Sequence, residues 1–207
     1  YSVTSGEIFE ENINLLKKKL NKNFLNCYLI SHLKKNNLKN LGLRFKKKIK
    51  ESDFILACSI KPDAHINTYY NLLKKSLKYG KLMICINPDK KVFDGKLNKL
   101  VWQIGKLAEY YENSGGKVLY FGKPYPKIFE KCLHVSKCKN KKKAIIIGDS
   151  IDNDILGGQK FGIDTMLIRN GKHINQLKNK SLKSLKVKIK KLNPNNKLPT
   201  YLINQMI

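Results

Sequence analysis

A short apolar run, Ala144-Ile145-Ile146-Ile147, ends abruptly in Gly148-Asp149, and two more carboxylates, Asp152 and Asp154, follow within five residues. The run has the length of a strand and no polar side, as expected of a strand buried on both faces in a parallel sheet. A helical pattern then continues to Gly162. Strand, acid loop and helix in that order put the carboxylates at the C-terminal edge of the strand, where open α/β sheets place their ligands. Three neighbouring acids repel one another, and a hard cation such as Mg²⁺ among them relieves the repulsion. Helix capping would explain Asp152 but not the other two.

The rest of the chain repeats the alternation. Helices are expected over 8–20, with Phe9, Ile13, Leu16 and Leu20 on one face, and over 65–79, with Ile66, Tyr69, Tyr70, Leu73 and Leu77 on a stripe that stops at Gly80. A further helix is expected over 97–111 on Leu97, Leu100, Val101, Ile104, Leu107, Ala108 and Tyr111, and another opens at Pro126 and runs to about Val135. Strands are expected over 27–31, 54–60, 82–86, 118–121, 144–147, 165–168 and 201–203. The patterns at 34–50 and 178–197 are open, the latter to a surface segment or a weak helix. This alternation predicts an α/β fold with a mostly parallel sheet.

Composition narrows the function classes. The chain has 207 residues and a net charge of +27, yet all its basic residues except Arg44 and Arg169 are Lys. Base and bidentate phosphate recognition favour Arg, and the Lys are spread along the chain, so nucleic acid is not the expected partner. The five Cys are scattered without a Cys-x-x-Cys pair, which suits thiols in a reducing cytoplasm rather than disulfides or zinc. No apolar stretch reaches the 18 residues of a membrane span, so no membrane partner is expected. Tyr1 stands where an initiator Met would, and no leader pattern follows it.

Three further motifs sit after strands or before a helix. Gly122-Lys123-Pro124-Tyr125-Pro126 delivers a Lys to a strand end, 26 residues before Asp149. One βα unit apart in a parallel sheet, the two would share an edge, and the Lys could neutralise a phosphate or a carboxylate. Asn87-Pro88-Asp89 reads equally as a turn or as a loop facing a pocket. Thr4-Ser5-Gly6 reads as an anion-binding helix start or as a cap with Glu7 in the first turn.

Taken in order, Thr4-Ser5-Gly6-Glu7, Asn87-Pro88-Asp89, Gly122 to Pro126, Gly148-Asp149-Ser150…Asn153-Asp154 and Gly162 to Gly171 resemble the haloacid dehalogenase (HAD) superfamily of phosphohydrolases, in particular the NagD-like subclass IIA. The resemblance implies a Rossmann-like core, a parallel sheet with helices on both faces, and an inserted α/β cap. It implies that Lys123 holds the nucleophile and the transferred phosphoryl group, and that Asp149 and Asp154 hold Mg²⁺. Ser150 and Asn153, with Asn87 and Asp89 in the cap, are the candidates on the phosphate and substrate side. The implied reaction is hydrolysis of a small phosphorylated metabolite through an aspartyl-phosphate, in the cytoplasm, with room for a homodimer through the cap.

The family's Asp-x-Asp-Gly nucleophile motif does not occur in the 207 residues; the one Asp-x-Asp is Asp152 to Asp154. The expected layout is therefore an incomplete core: residues 1–22 the tail of its first half, 23–116 the cap and 117–207 its second half. Such a fragment is expected to be inactive as it stands. Two alternatives remain at this stage, a non-catalytic protein that binds a phosphorylated ligand and a basic nucleic-acid-binding module.

Overall fold

In the computed structural model, residues 1–19, 21–32, 38, 41–62, 64–97 and 99–205 are described. The chain divides into two compact units, residues 4–122 and residues 1–3 with 123–207.

The first unit opens with α1 (Ser5–Lys19), which buries Ile8, Phe9 and Ile13. Leu16 is half-buried, and Leu20 lies outside the described residues. Thr4 and Glu7 form a capping box: the Glu7 N–H donates to Thr4 Oγ1 (3.2 Å) and the Thr4 N–H to Glu7 Oε2 (2.7 Å). That reciprocity satisfies two amides at the helix start, so Thr4 acts as a cap.

The strands β1 (Leu25–Ile30), β2 (Leu43–Phe45), β3 (Phe54–Ala57) and β4 (Leu82–Cys85) follow. Between β3 and β4, a 3₁₀ turn (Ile66–Tyr69) leads into α2 (Tyr70–Lys78). Next come the hairpin strands β5 (Lys91–Asp94) and β6 (Lys99–Trp102), α3 (Ile104–Asn113) and β7 (Val118–Tyr120). Five strands form a wholly parallel sheet in the order β2-β1-β3-β4-β7. All four residues of β3 are buried, as befits a central strand. Ile55, Leu73, Met83, Ile104, Leu107 and Tyr111 are among the residues that meet in one core.

The expected helix over 97–111 is two elements. Asp94 Oδ1 accepts the N–H groups of Lys96 and Leu97 at 2.9 Å each and turns the chain. Residues 99–102 then pair antiparallel with 91–94. Leu97 and Leu100 stay exposed, and the helix starts only at Ile104, after the extended Gln103. Apolar residues at 97, 100, 101 and 104 satisfy helical spacing, but a tight turn with an Asx bond outweighs periodicity. The stripe from Ile104 to Tyr111 is buried as expected.

The division at 122/123 also differs from the expected 116/117. Strand β7 pairs with β4, Ile84 opposite Leu119, and completes the first sheet. Helix α1, expected in the tail of the first half of the core, belongs to the first unit, where Phe9 meets Phe121 edge-on at 6.0 Å between centroids.

Burial pushes the Cys58 and Cys85 thiols up to about 12, and Cys27 is fully buried. A thiol reagent at pH 8 is therefore expected to modify the exposed Cys132 first and to leave Cys27, Cys58 and Cys85 intact until the first unit unfolds. Peptide mass mapping over time checks this order.

The second unit contains α4 (Pro126–Val135), β8 (Ile145–Gly148), a π-helical turn (Ile151–Ile155), α5 (Leu156–Phe161), β9 (Asp164–Ile168), α6 (Ile174–Leu177), α7 (Leu182–Leu192) and β10 (Tyr201–Ile203). Its sheet is parallel in the order β10-β9-β8. Ile151, Ile155, Leu167, Leu177, Leu185 and Ile189 form its core. The Lys-rich stretch that sequence left open is thus largely helix α7, anchored through Leu185 and Ile189.

Strand β8 departs from the double-sided burial expected of it. Ile145 is 41% and Ile147 44% exposed, because β8 is the edge strand of three. Its outer side borders a groove of about 810 Å³ lined by residues that include Ile128, Phe129, Cys132 and Ile163. Among the described residues no helix is long and apolar enough to cross a membrane.

Candidate active site

The acid loop leaves β8 at Gly148 and enters the π-helical turn. The Ser150 carbonyl accepts the N–H groups of both Asp154 (2.9 Å) and Ile155 (3.1 Å). This wide turn brings the Asp154 side chain back under the loop, where Oδ2 accepts the Ser150 N–H at 3.1 Å. Asp154 is only 5% exposed. Its other oxygen, Oδ1, meets Lys123 Nζ at 2.6 Å. A buried carboxylate needs such a partner, since an isolated charge would be strongly penalised.

Lys123 and the acid loop therefore do come together, though not as neighbours on one sheet edge. Strand β7 belongs to the first sheet and β8 to the second. Lys123 starts the second unit and reaches Asp154 rather than Asp149.

Asp149 is held elsewhere. Its Oδ2 accepts the Lys172 N–H at 2.7 Å. Asp152 accepts Ser150 Oγ–H (2.7 Å) and lies 2.8 Å from Lys172 Nζ. Ser150, proposed for phosphate contact, thus spends its hydroxyl inside the loop. Asn153 is buried in the same turn. Asn87 and Asp89 belong to the first unit, where the Asp89 N–H donates to Asn87 Oδ1 at 3.2 Å and closes a turn.

Two glycines let the acids sit where they do. A Cβ on Gly148 would lie 2.3 Å from Asp154 Cγ, and one on Gly171 would lie 2.3 Å from Asp149 Cβ. Lys172, which sequence reasoning passed over, and His173, which has no ligand-like spacing with the Cys and reads as structural or exposed, complete the site. Lys172 was one Lys among dozens, with no motif to single it out.

Burial works against the ionised form of Asp152, but His173, Lys172 and Ser150 outweigh it and hold the carboxyl well below its ordinary value of 3.8. For a depressed carboxylate the stabilisation is complete above the ordinary value and lost as pH falls through the lowered one. Acid below about pH 4 is thus expected to loosen the second unit, and Asp152→Asn is expected to shrink that acid-dependent part. Melting curves of both proteins between pH 2 and 6 check the sign.

Asp149 and Asp154 offer the hard oxygen donors that Mg²⁺ takes. Among the described residues no three or more acid, His or Cys side chains converge as a metal cluster. The donor type fits the ion, and water or a further acid would complete the shell.

Residues 120–188 match the family described as HAD-hyrolase-like. This segment is thus similar to haloacid dehalogenase-like hydrolases. A 58-residue stretch is 36% identical to the ribonucleotide monophosphatase NagD of Escherichia coli K12, covering 28% of this chain and 23% of NagD. A haloacid dehalogenase-like hydrolase from Brucella suis 1330 superposes with a TM-score of 0.70 at 26% identity, over 83% of this chain and 65% of that one. The magnesium complex of a glycerol phosphate phosphatase from Mycobacterium tuberculosis has a TM-score of 0.63 at 16% identity, over 98% of this chain and 56% of that one. The chain thus spans less than two thirds of each of these relatives. Its α/β fold, with parallel sheets flanked by helices, is that of HAD-family structures.

Proposed function

We propose that the second unit is the C-terminal half of a phosphohydrolase core and the first unit its α/β cap, in a longer Mg²⁺-dependent enzyme acting on small phosphorylated metabolites. The observation that carries this reading is the Lys123–Asp154 pair at 2.6 Å, in the loop that Asp149 begins. It sets a cation and two acids around a strand end, the charge pattern that phosphoryl transfer requires.

In this reading Asp149 and Asp154 hold Mg²⁺, which offsets charge on the phosphoryl oxygens. Lys123 neutralises the phosphate and the attacking carboxylate as a point charge. The nucleophilic Asp, which would carry the phosphoryl group as an aspartyl-phosphate, lies outside the 207 residues. The exposed outer side of β8 supports an adjoining strand there. Asn87 and Asp89 would act from the cap on the substrate.

The test uses the longer protein with p-nitrophenyl phosphate and a broad panel of phosphate esters. Hydrolysis should require Mg²⁺, and Lys123→Ala and Asp149→Asn should each lower kcat/KM about 100-fold or more. Unchanged rates in both variants would show that the site is elsewhere. A wild-type protein inert on the whole panel would favour a phosphate-binding role without catalysis.

A further inference from the structure

The loop after β9 grips the acid loop at several points. The Lys172 N–H binds Asp149 Oδ2 at 2.7 Å. Lys172 Nζ donates to Ser150 Oγ (3.1 Å) and to both oxygens of Asp152 (2.8 and 3.0 Å). The Ile151 N–H donates to His173 Nε2 at 3.2 Å. Gly171 supplies the bare backbone against which Asp149 packs. The Lys172 side chain is 15% exposed, so its charge is largely withdrawn from water and committed to these partners.

This grip answers a local weakness. A π-helical turn is rarer than an α turn and has poorer backbone support. Here it carries Asp154 and follows Asp149, so its shape sets where both carboxylates point. We propose that Lys172 is a positioning residue that locks the acid loop through Asp152 and Ser150 and thereby fixes Asp149 and Asp154 for a divalent cation; this rests on the metal reading of the site above. Lys172 touches neither cation nor substrate. It acts on the geometry of the residues that do, as groups behind metal ligands generally do.

The role has a sign that distinguishes it from plain electrostatics. A Lys that merely adds positive charge near the acids would weaken cation binding, so removing it would tighten binding. A positioning Lys does the reverse.

The experiment compares the 207-residue chain with K172M, K172R and D152N. Amide hydrogen exchange without divalent cations is expected to speed up about tenfold at residues 150–155 in K172M and D152N, with β3 unchanged, and to return toward wild type in K172R. Mn²⁺ titration is expected to show about tenfold weaker binding in K172M. Unchanged loop exchange in both K172M and D152N, or tighter Mn²⁺ binding in K172M, would overturn the proposal. Wild-type protein that binds no Mn²⁺ would overturn the metal reading and, with it, the cation part of the role; loop exchange would still report the brace separately.

Discussion

Replacing Lys123 with Met is expected to destabilise the second unit by about 2 kcal/mol, because Asp154 then stays buried without its counter-charge. Breaking a fully buried ion pair costs about 3–5 kcal/mol. Lys123 is itself 46% exposed, so water screens part of the interaction and the smaller figure applies. Asp154→Asn in the same chain is expected to restore most of the loss, since a neutral amide tolerates burial and its amide oxygen, in the place of Oδ2, can still accept the Ser150 N–H. Thermal melts followed by circular dichroism measure both variants. Trp102, the single Trp, lies in the first unit and serves as the internal control. A double variant no more stable than Lys123→Met would show that the pair is not what holds the loop.

Gly148→Ala is expected to do more, at about 3 kcal/mol. The new methyl would fall 2.3 Å from Asp154 Cγ and Oδ2 and 2.6 Å from its Cβ. A carboxylate tip could swing away, but the Cβ is fixed to the turn, so the π-helical segment itself must move. That motion breaks the Ser150–Asp154 bond and pulls Oδ1 from Lys123. Gly171→Ala should act in the same way through Asp149, whose Cβ would lie 2.3 Å from the added methyl. Combining Gly148→Ala with Lys123→Met should cost less than the sum of the two, because both release the same carboxylate. Strict additivity would argue that the glycine and the lysine act on separate features.

The fold and the site differ in what sequence reveals of them. Parallel strands such as β3 and β4 were legible because apolar runs of strand length between helical stripes have few other uses. The α3 stripe from Ile104 to Tyr111 was legible for the same reason. The β5–β6 hairpin was not, because Leu97, Leu100 and Val101 fit a helical period while the deciding bonds, from two amides to Asp94, lie in a turn. In the site, the acids and Lys123 stood out by type and spacing. Which acid Lys123 would meet did not, since the wide turn that folds Asp154 back toward Lys123 has no periodic signature. Lys172 was hidden by composition, because its identity is common in this chain and its role comes only from where β9 ends.

The flank of β8 that no described strand pairs has a practical consequence for anyone handling this polypeptide. Unpaired strand edges with exposed Ile side chains are templates for self-association, and here they sit on a molecule with a net charge of +27. Mutual repulsion keeps such copies apart in dilute buffer, whereas added electrolyte shortens its reach to a few ångströms. Ionic strength, more than heat, should therefore govern how long the chain stays dispersed.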